Sequence, residues 1–248
     1  MIKLQTVAIR AGKWYHIIIV KPCSASAAAY KEAFPMRYRG VIFAMDGIIC
    51  STDRYHIKAW QKLADRLNVP FDVTVYNEQM RGLSRMDSLE VFLKHTGLTC
   101  SEAEKVALSA EKHGYVADML EQLEPDDLSD EVRSTMRTIR RRGVKLGVGS
   151  SSTNVPTILR RLDLATFFDA VCDGNTVRHA KPDPEVFQRC AGFMGLTPSE
   201  CLVVENANAG VQAALGGRFH CAALGDAKDN RLATYHLKTF ADLAGIVD

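Results

Sequence analysis

One alternation constrains the fold of this chain more than any other feature. From about residue 125 onward, helix-like segments alternate with short apolar strands, and the loops between them are short. The predicted strands cover 145–149, 170–172, 201–204 and 221–224, and the predicted helices cover 130–142, 154–162, 184–194 and 209–215. Repeated βα units of this kind are typical of a parallel sheet with helices on both faces. The sequence therefore predicts an α/β fold, a Rossmann-like, doubly wound parallel sheet.

A further strand is predicted upstream, in the stretch VIFAMDGIIC at 41–50. The run Val41-Ile42-Phe43 is apolar and rich in β-branched and aromatic residues, as a buried parallel strand is. Between this strand and the alternating region, apolar residues recur at helical spacing and strand patterns are missing; helix-like segments start at 52, 77, 84 and 101. We therefore expect a core of residues 36–51 and 128–248, with an inserted α-helical cap of residues 52–127.

The first 35 residues do not fit this scheme. Residues 15–20 favour a strand, but the segment as a whole is a poor signal peptide. Met36, just before the first core strand, would serve naturally as the start of the domain. We interpret residues 1–35 as an N-terminal extension of unknown role.

Charge and cysteine content limit the classes of partner. The formal net charge is +2, so the chain has no bulk attraction for nucleic acid or an anionic membrane, and no apolar run approaches the length of a membrane span. Arg140, Arg141 and Arg142 form the densest basic patch, which is interpreted as a solvated helix end in preference to a nucleic-acid site. The seven cysteines show no C-x-x-C spacing, which indicates free thiols and a cytoplasmic location. We expect a monomer, because a closing cap needs free rotation about its linkers.

Polar side chains follow four of the predicted core strands and loops. The groups are an ammonium, a cluster of hydroxyls, amides and carboxylates, at Asp46, Ser150, Ser151, Ser152, Asn154, Lys181, Glu205 and Asn206. The carboxyl ends of parallel strands meet at one edge of a sheet, which is where ligands bind in open α/β folds. This set of groups suits a phosphate and a divalent cation.

The motifs around these residues resemble those of a known family. FAMDG, VGSSS, AKPDPEVF and VVENANAG stand where phosphotransferases of the haloacid dehalogenase superfamily have a D-x-D-G, a Ser or Thr, a Lys and an acidic pair. In the cap, TDRYHIKAW (52–60) and NEQMRGLSRMDSL (77–89) are similar to segments of the β-phosphoglucomutase family. The likeness covers nearly everything from Arg37 to the end of the chain.

The resemblance implies roles for the core residues, and two positions depart from the pattern. In the family, the first Asp of D-x-D attacks the phosphoryl group and the second is the general acid and base. Asp46 matches the second, and Ala44 stands in the place of the nucleophile. Glu205 matches the acidic pair, but Asn206 replaces its metal-binding Asp. The resemblance thus implies Mg²⁺ held by Asp46, Glu205 and Asn206, and held weakly because two carboxylates are missing.

The resemblance also implies substrate contacts. His56 matches a hinge histidine that couples sugar binding to proton transfer, and Arg85 matches a phosphate clamp of the cap. Further contacts to the substrate or its phosphates are assigned to Thr52, Trp60, Gly82, Lys112, Ser150, Ser151, Ser152, Asn154 and Lys181. The spacing from Lys112 to Tyr115 is one residue shorter than in the family.

Each of these residues also has a simpler interpretation. Asp46 before Gly47 could be a turn residue, and Ser150 a helix N-cap, although an N-cap hydroxyl is compatible with phosphate binding. Lys181 could be a solvated loop cation, and His56 an ordinary satisfied histidine. Trp60 is favoured as part of the cap core.

The resemblance implies a β-phosphoglucomutase-like phosphotransferase that interconverts β-glucose 1-phosphate and glucose 6-phosphate through an aspartyl phosphate and a bisphosphate. Because a methyl group cannot attack phosphorus, Ala44 predicts mutase turnover near background. Two alternatives stay open: a non-catalytic phosphosugar binder, natural or deliberately inactivated, and a sugar phosphatase of the same fold.

Overall fold

The computed structural model describes residues 3–9, 13–19, 38–81 and 83–247, and the chain forms two compact units, Met1–Met36 and Arg37–Asp248. In the first unit, strands β1 (Lys3–Ile9) and β2 (Lys13–Ile19) pair antiparallel. The strand expected at 15–20 is therefore present, two residues longer at its start.

The second unit is built on a six-stranded sheet in which every pair of neighbours is parallel. Its strands are β3 (Gly40–Phe43), β4 (Lys145–Gly149), β5 (Ala170–Cys172), β6 (Cys201–Glu205), β7 (His220–Ala223) and β8 (Tyr235–His236). The predicted doubly wound parallel sheet is confirmed. The sequence analysis missed β8, which has only two residues and no apolar run.

The strand order β5-β4-β3-β6-β7-β8 places the first core strand at the centre. The chain runs outward from β3 through β4 to β5 and then returns to the other side of β3 to form β6, so the winding reverses at β3. The carboxyl ends of β3, β4 and β6 therefore lie side by side at the switch point, where ligands bind in such sheets. Every residue of β3 and β6 is buried, as expected for strands covered on both faces.

The segment between β3 and β4 begins with three longer helices, α1 (Asp53–Leu67), α2 (Arg85–Thr96) and α3 (Glu102–Leu120). A short helical turn and a π-turn (Val73–Val75, Tyr76–Met80) connect α1 to α2. The helices bury a core of their own, in which the Trp60 and Phe92 rings stack with centroids 4.9 Å apart. The inserted segment is thus helical as predicted, while the proposed bounds of the cap stay a prediction.

Further helices of this unit are α4 (Asp130–Arg141), α5 (Val155–Arg161), α6 (Glu185–Phe193), α7 (Asn208–Gly216) and α8 (Leu243–Ile246), of which α4, α6 and α7 pack on the sheet. In the described part of the chain, no helix is both long enough and apolar enough to cross a bilayer. Six cysteines lie in that part, and all six are free thiols.

Candidate active site

Asp46 follows β3 and is held by Thr52, the residue before α1. Its two carboxylate oxygens accept hydrogen bonds from the Thr52 amide (2.8 Å) and the Thr52 hydroxyl (2.6 Å), and Thr52 is buried. Asp46 keeps some solvent contact, yet the atoms around it desolvate the carboxylate. Burial therefore raises the pKa of Asp46 above its ordinary range, although the Thr52 hydrogen bonds oppose this shift.

Ala44, two residues earlier, is buried beside the neighbouring strand. Its amide donates to the Val204 carbonyl at 2.9 Å, which continues the β3–β6 ladder by one residue. A methyl group therefore lies at the end of β3, at the position that the sequence analysis assigned to the nucleophile.

Asn206 follows β6 and lies against the turn after Asp46. A Cβ added to Gly47 would come within 2.0 Å of the Asn206 Nδ2, and Gly47 has a φ of +70°. Both the close approach and the left-handed backbone require glycine here. The turn thus brings Asp46 and Asn206 to one place on the rim.

Glu205 and Lys181 form a buried ion pair beneath this turn. The Lys181 Nζ donates to Glu205 Oε1 at 2.5 Å and to the Gly149 carbonyl at 3.0 Å, and Glu205 is only 1% exposed. The second Glu205 oxygen accepts the amides of Asn206 (2.8 Å) and Ala207 (3.0 Å). The ends of β4 and β6 are therefore joined through one ammonium.

The loop after β4 contributes the hydroxyl groups. Ser150 Oγ accepts the Ser152 amide, Ser152 Oγ accepts the Asn154 amide, and Ser151 Oγ accepts the Lys181 amide, each at 3.2 Å. These contacts fold the loop into the start of α5 and place it beside Lys181. The predicted convergence of the core residues is thus present in the structure, while their role in binding stays a prediction.

In the cap, α1 and α3 place a lysine against a histidine and an aromatic ring. The Lys112 Nζ lies 2.8 Å from the His56 Nδ1 and 4.8 Å from the centroid of the Trp60 ring. Burial, followed by the charge of Lys112, lowers the pKa of His56 to about 3, so His56 is a neutral acceptor. Burial and the charge of Arg85 lower the pKa of Lys112 to about 7, although the negative charge of Asp46 raises it by a smaller amount.

Arg85 connects the cap to the core. Its guanidinium donates to the Thr153 hydroxyl in the loop after β4 and lies 3.1 Å from the His113 Nε2. Burial lowers the pKa of Arg85, and burial with the charges of Arg85 and Lys112 lowers that of His113. Arg85, Lys112, His56 and His113 form a group that we call the cap cation cluster.

No carboxylate pairs with the cap cation cluster among the residues that the structure describes. Arg85 and Lys112 have no salt bridge there, whereas seven other arginines of the unit do. Lys112 is largely desolvated, and its ammonium is repelled by the nearby, more exposed Arg85, which is costly without an anion. The arrangement is therefore suited to an anionic ligand.

The sequence analysis did not predict every residue of this site. His113 was missed, although it lies next to Lys112, where the family spacing is one residue short. Trp60 is 2% exposed and stacks on Phe92, so it belongs to the cap core, as favoured, and touches the cluster only through Lys112. Gly82 lies outside the described residues.

A separate group of side chains with atoms that could ligate a metal occurs where the preceding loop meets the start of α6. His179, Asp183 and Glu185 have ligand atoms within 4.8 Å of one another. Glu185 already accepts the amides of Arg178 and His179, and it pairs with Arg189. These contacts account for the group as loop structure.

Comparisons with known proteins agree with the fold. A family profile of haloacid dehalogenase-like hydrolases matches residues 38–217. A β-phosphoglucomutase of Bacillus subtilis is 32% identical over 207 residues, 83% of this chain and 91% of that protein. A fructose-1-phosphate phosphatase of Escherichia coli is 36% identical over 179 residues, 72% of this chain and 92% of that protein.

Solved structures give the same result. The crystal structure of a β-phosphoglucomutase from Clostridium difficile superposes with a TM-score of 0.74 at 28% identity, over 83% of this chain and 93% of that one. The residues that the profile matches lie within the unit that carries the site. The chain therefore belongs to the haloacid dehalogenase-like hydrolases and is β-phosphoglucomutase-like in sequence and fold.

Proposed function

We propose that this chain binds a phosphorylated sugar between the strand ends and the cap, as a β-phosphoglucomutase-like protein that has lost turnover. The observation that carries the proposal is the cap cation cluster: its Arg85 and Lys112 form no salt bridge in the described part of the chain, and Lys112 lies within electrostatic reach of Asp46. Small dianions such as phosphate monoesters would supply the missing charge.

The two ends of a phosphosugar would meet different groups. Arg85 and Lys112 offer a planar fork and a point charge for a phosphate under the cap. On the core side, Lys181 and the Ser150 loop offer an ammonium and hydroxyl groups beside the start of α5. The hydrogen bond between Arg85 and Thr153 supports a closed arrangement, because it joins the cap directly to that loop.

Asp46 has properties of a general acid and base. Burial raises its pKa, and the Thr52 hydrogen bonds orient both oxygens. A carboxyl group whose pKa is raised toward neutrality is better able to exchange a proton with a sugar hydroxyl. The residue assigned to proton transfer is thus retained.

The group that would receive the phosphoryl is missing. The Ala44 methyl has no lone pair, so no aspartyl phosphate forms at this position. Phosphoryl transfer through a covalent intermediate on the protein therefore cannot occur there. We expect binding without measurable isomerisation, which favours the binder over an active mutase.

A sugar phosphatase is the second candidate, because the relative with 36% identity is named a fructose-1-phosphate phosphatase and another, 26% identical, is named a phosphorylated carbohydrates phosphatase. Hydrolysis in this family would start with the same attack on phosphorus. Ala44 therefore opposes that activity to the same degree.

Isothermal titration calorimetry with glucose 6-phosphate and with glucose 1,6-bisphosphate tests the proposal. Binding heat that is lost in Arg85→Ala, with no conversion of β-glucose 1-phosphate by the unmodified chain, is the expected result. Unchanged affinity in Arg85→Ala would contradict the role of the cluster, and absence of heat with both sugars would contradict the proposed function.

A further inference from the structure

The side chains at the rim are a poor match for the divalent cation that the resemblance implies. Mg²⁺ requires near-ideal octahedral coordination by about six oxygens, usually with one or two carboxylates free to bind it. Only Asp46 and Glu205 carry a carboxylate at the candidate metal positions, since Ala44 has a methyl group and Asn206 a neutral amide. The contacts of those two carboxylates therefore decide whether the site fits the ion.

Glu205 already uses three of its roughly four acceptor sites for donors within the protein. One oxygen accepts the Lys181 ammonium at 2.5 Å and the other accepts two backbone amides. A Mg²⁺ bound to this carboxylate would lie beside an ammonium, and the two cations would repel each other strongly because Glu205 is only 1% exposed. Gly210 also packs against the carboxylate, since a Cβ there would lie 2.0 Å from its carbon, so Glu205 has little room to turn away.

Asp46 is engaged by fewer donors, one on each oxygen, and Asn206 adds no charge. Both Asp46 oxygens accept hydrogen bonds from Thr52, and the Asn206 side chain packs against Gly47. The donor set therefore does not fit a resident Mg²⁺.

The charges of the site do not require one. Among the side chains that converge there, Arg85, Lys112 and Lys181 are cationic when protonated, and Asp46 and Glu205 are anionic. Relative to the D-x-D-G and acidic-pair pattern, the chain lacks the carboxylates at positions 44 and 206. Two carboxylates and one Mg²⁺ sum to zero charge, so a site that contains all three has the same net charge as this site without them. Together, the residues at positions 44 and 206 thus remove the two negative charges that a bound Mg²⁺ would otherwise balance.

We propose that this chain binds the phosphate of its sugar ligand without a divalent cation, with Lys181 and the cap cation cluster providing the positive charge. This inference rests on the proposed function, because it concerns the same ligand at the same site. It adds that the two substitutions together convert a metal-dependent phosphate site into a metal-free one.

Calorimetry with glucose 1,6-bisphosphate, in excess EDTA or in millimolar MgCl₂, tests the inference. The dissociation constant of the unmodified chain should differ between the two conditions by less than about threefold, which is well under one tenfold step of affinity. Binding seen only with MgCl₂ would overturn the inference and leave the proposed function standing. No binding in either condition would instead refute the proposed function.

The matched control is the variant Ala44→Asp with Asn206→Asp, beside the isosteric neutral variant Ala44→Asn. Returning two carboxylates should weaken binding in EDTA by about tenfold or more, because like charges then face the phosphate, and MgCl₂ should restore it. Ala44→Asn should stay independent of MgCl₂. Equal affinities of the double variant in EDTA and in MgCl₂ would contradict the charge argument. If the double variant does not fold, the unmodified chain and Ala44→Asn still show whether binding requires the divalent cation.

Discussion

The contact between Gly210 and Glu205 gives the sharpest prediction about how the rim is built. A methyl group at position 210 would lie 2.0 Å from the Glu205 carboxyl carbon and from Oε1, far inside van der Waals contact. Glu205 cannot yield freely, because its oxygens hold Lys181 and two amides and it is 1% exposed. We expect Gly210→Ala to distort or break this group of contacts.

The magnitude follows from two contributions. Overpacking a filled site costs about 1–3 kcal/mol, and loss of one partner from a buried ion pair costs roughly 3–5 kcal/mol. Because Glu205 shifts and is not removed, we expect the overpacking range, with the higher range as an upper bound. For a domain of this size, about 1–3 kcal/mol lowers the melting temperature by roughly 2–12 °C.

Gly216→Ala is the matched control, since it lies on the same helix α7 and has no atom within 4 Å of an added Cβ. Alanine is favoured over glycine in helices by up to about 1 kcal/mol, so this variant should be neutral or slightly more stable. Urea unfolding followed by circular dichroism measures both variants. In a Glu205→Ala background, Gly210→Ala should cost much less, which a double-mutant cycle detects.

Equal stabilities of Gly210→Ala and Gly216→Ala would refute the reasoning. So would a cost of Gly210→Ala that is unchanged in the Glu205→Ala background, because the methyl group would then be meeting something other than this carboxylate.

Three further predictions concern the cap cation cluster. Lys112→Met should weaken phosphosugar binding by about tenfold or more, as expected for loss of a charged hydrogen bond. The control is Lys62→Met, which removes a lysine that lies over the Tyr115 ring on the same pair of helices. This variant should bind with unchanged affinity in calorimetry. The pKa of Lys112 is lowered to about 7, and a bound dianion favours the charged form of this lysine. The affinity should therefore fall by up to about tenfold per pH unit as the pH rises above 7, and Lys112→Met should lose this dependence. A pH-independent affinity in the unmodified chain would contradict the assignment. His113→Ala should weaken binding because it frees the Arg85 guanidinium, and His113→Gln should keep part of the affinity. If both variants bind as tightly as the unmodified chain, His113 does not position Arg85.

The sequence predicted the core of the fold well, because β4 and β5 are apolar runs ended by turn residues and the βα alternation admits few topologies. The helical insertion was also predicted, since residues after Thr52 follow helical spacing. β8 was missed because a two-residue edge strand has no periodicity of its own, and its pairing with β7 depends on tertiary contact.

The site shows the same division. Asp46, Ser150, Lys181 and Glu205 follow strands or their loops, so their convergence follows from the topology alone. The contacts of Arg85 with His113 and Thr153 depend on how α2, α3 and the loop after β4 pack, and no spacing in the sequence indicates them. The roles of the cap residues were available only from the family resemblance.

The most direct test of the account is to return the missing groups. Ala44→Asp combined with Asn206→Asp should convert β-glucose 1-phosphate to glucose 6-phosphate, measured by coupling to glucose 6-phosphate dehydrogenase, and the conversion should require Mg²⁺, while the unmodified chain gives only background. A folded double variant that binds the sugar but forms no glucose 6-phosphate, or that releases inorganic phosphate instead, would contradict the claim that this rim is a mutase site that lacks its nucleophile.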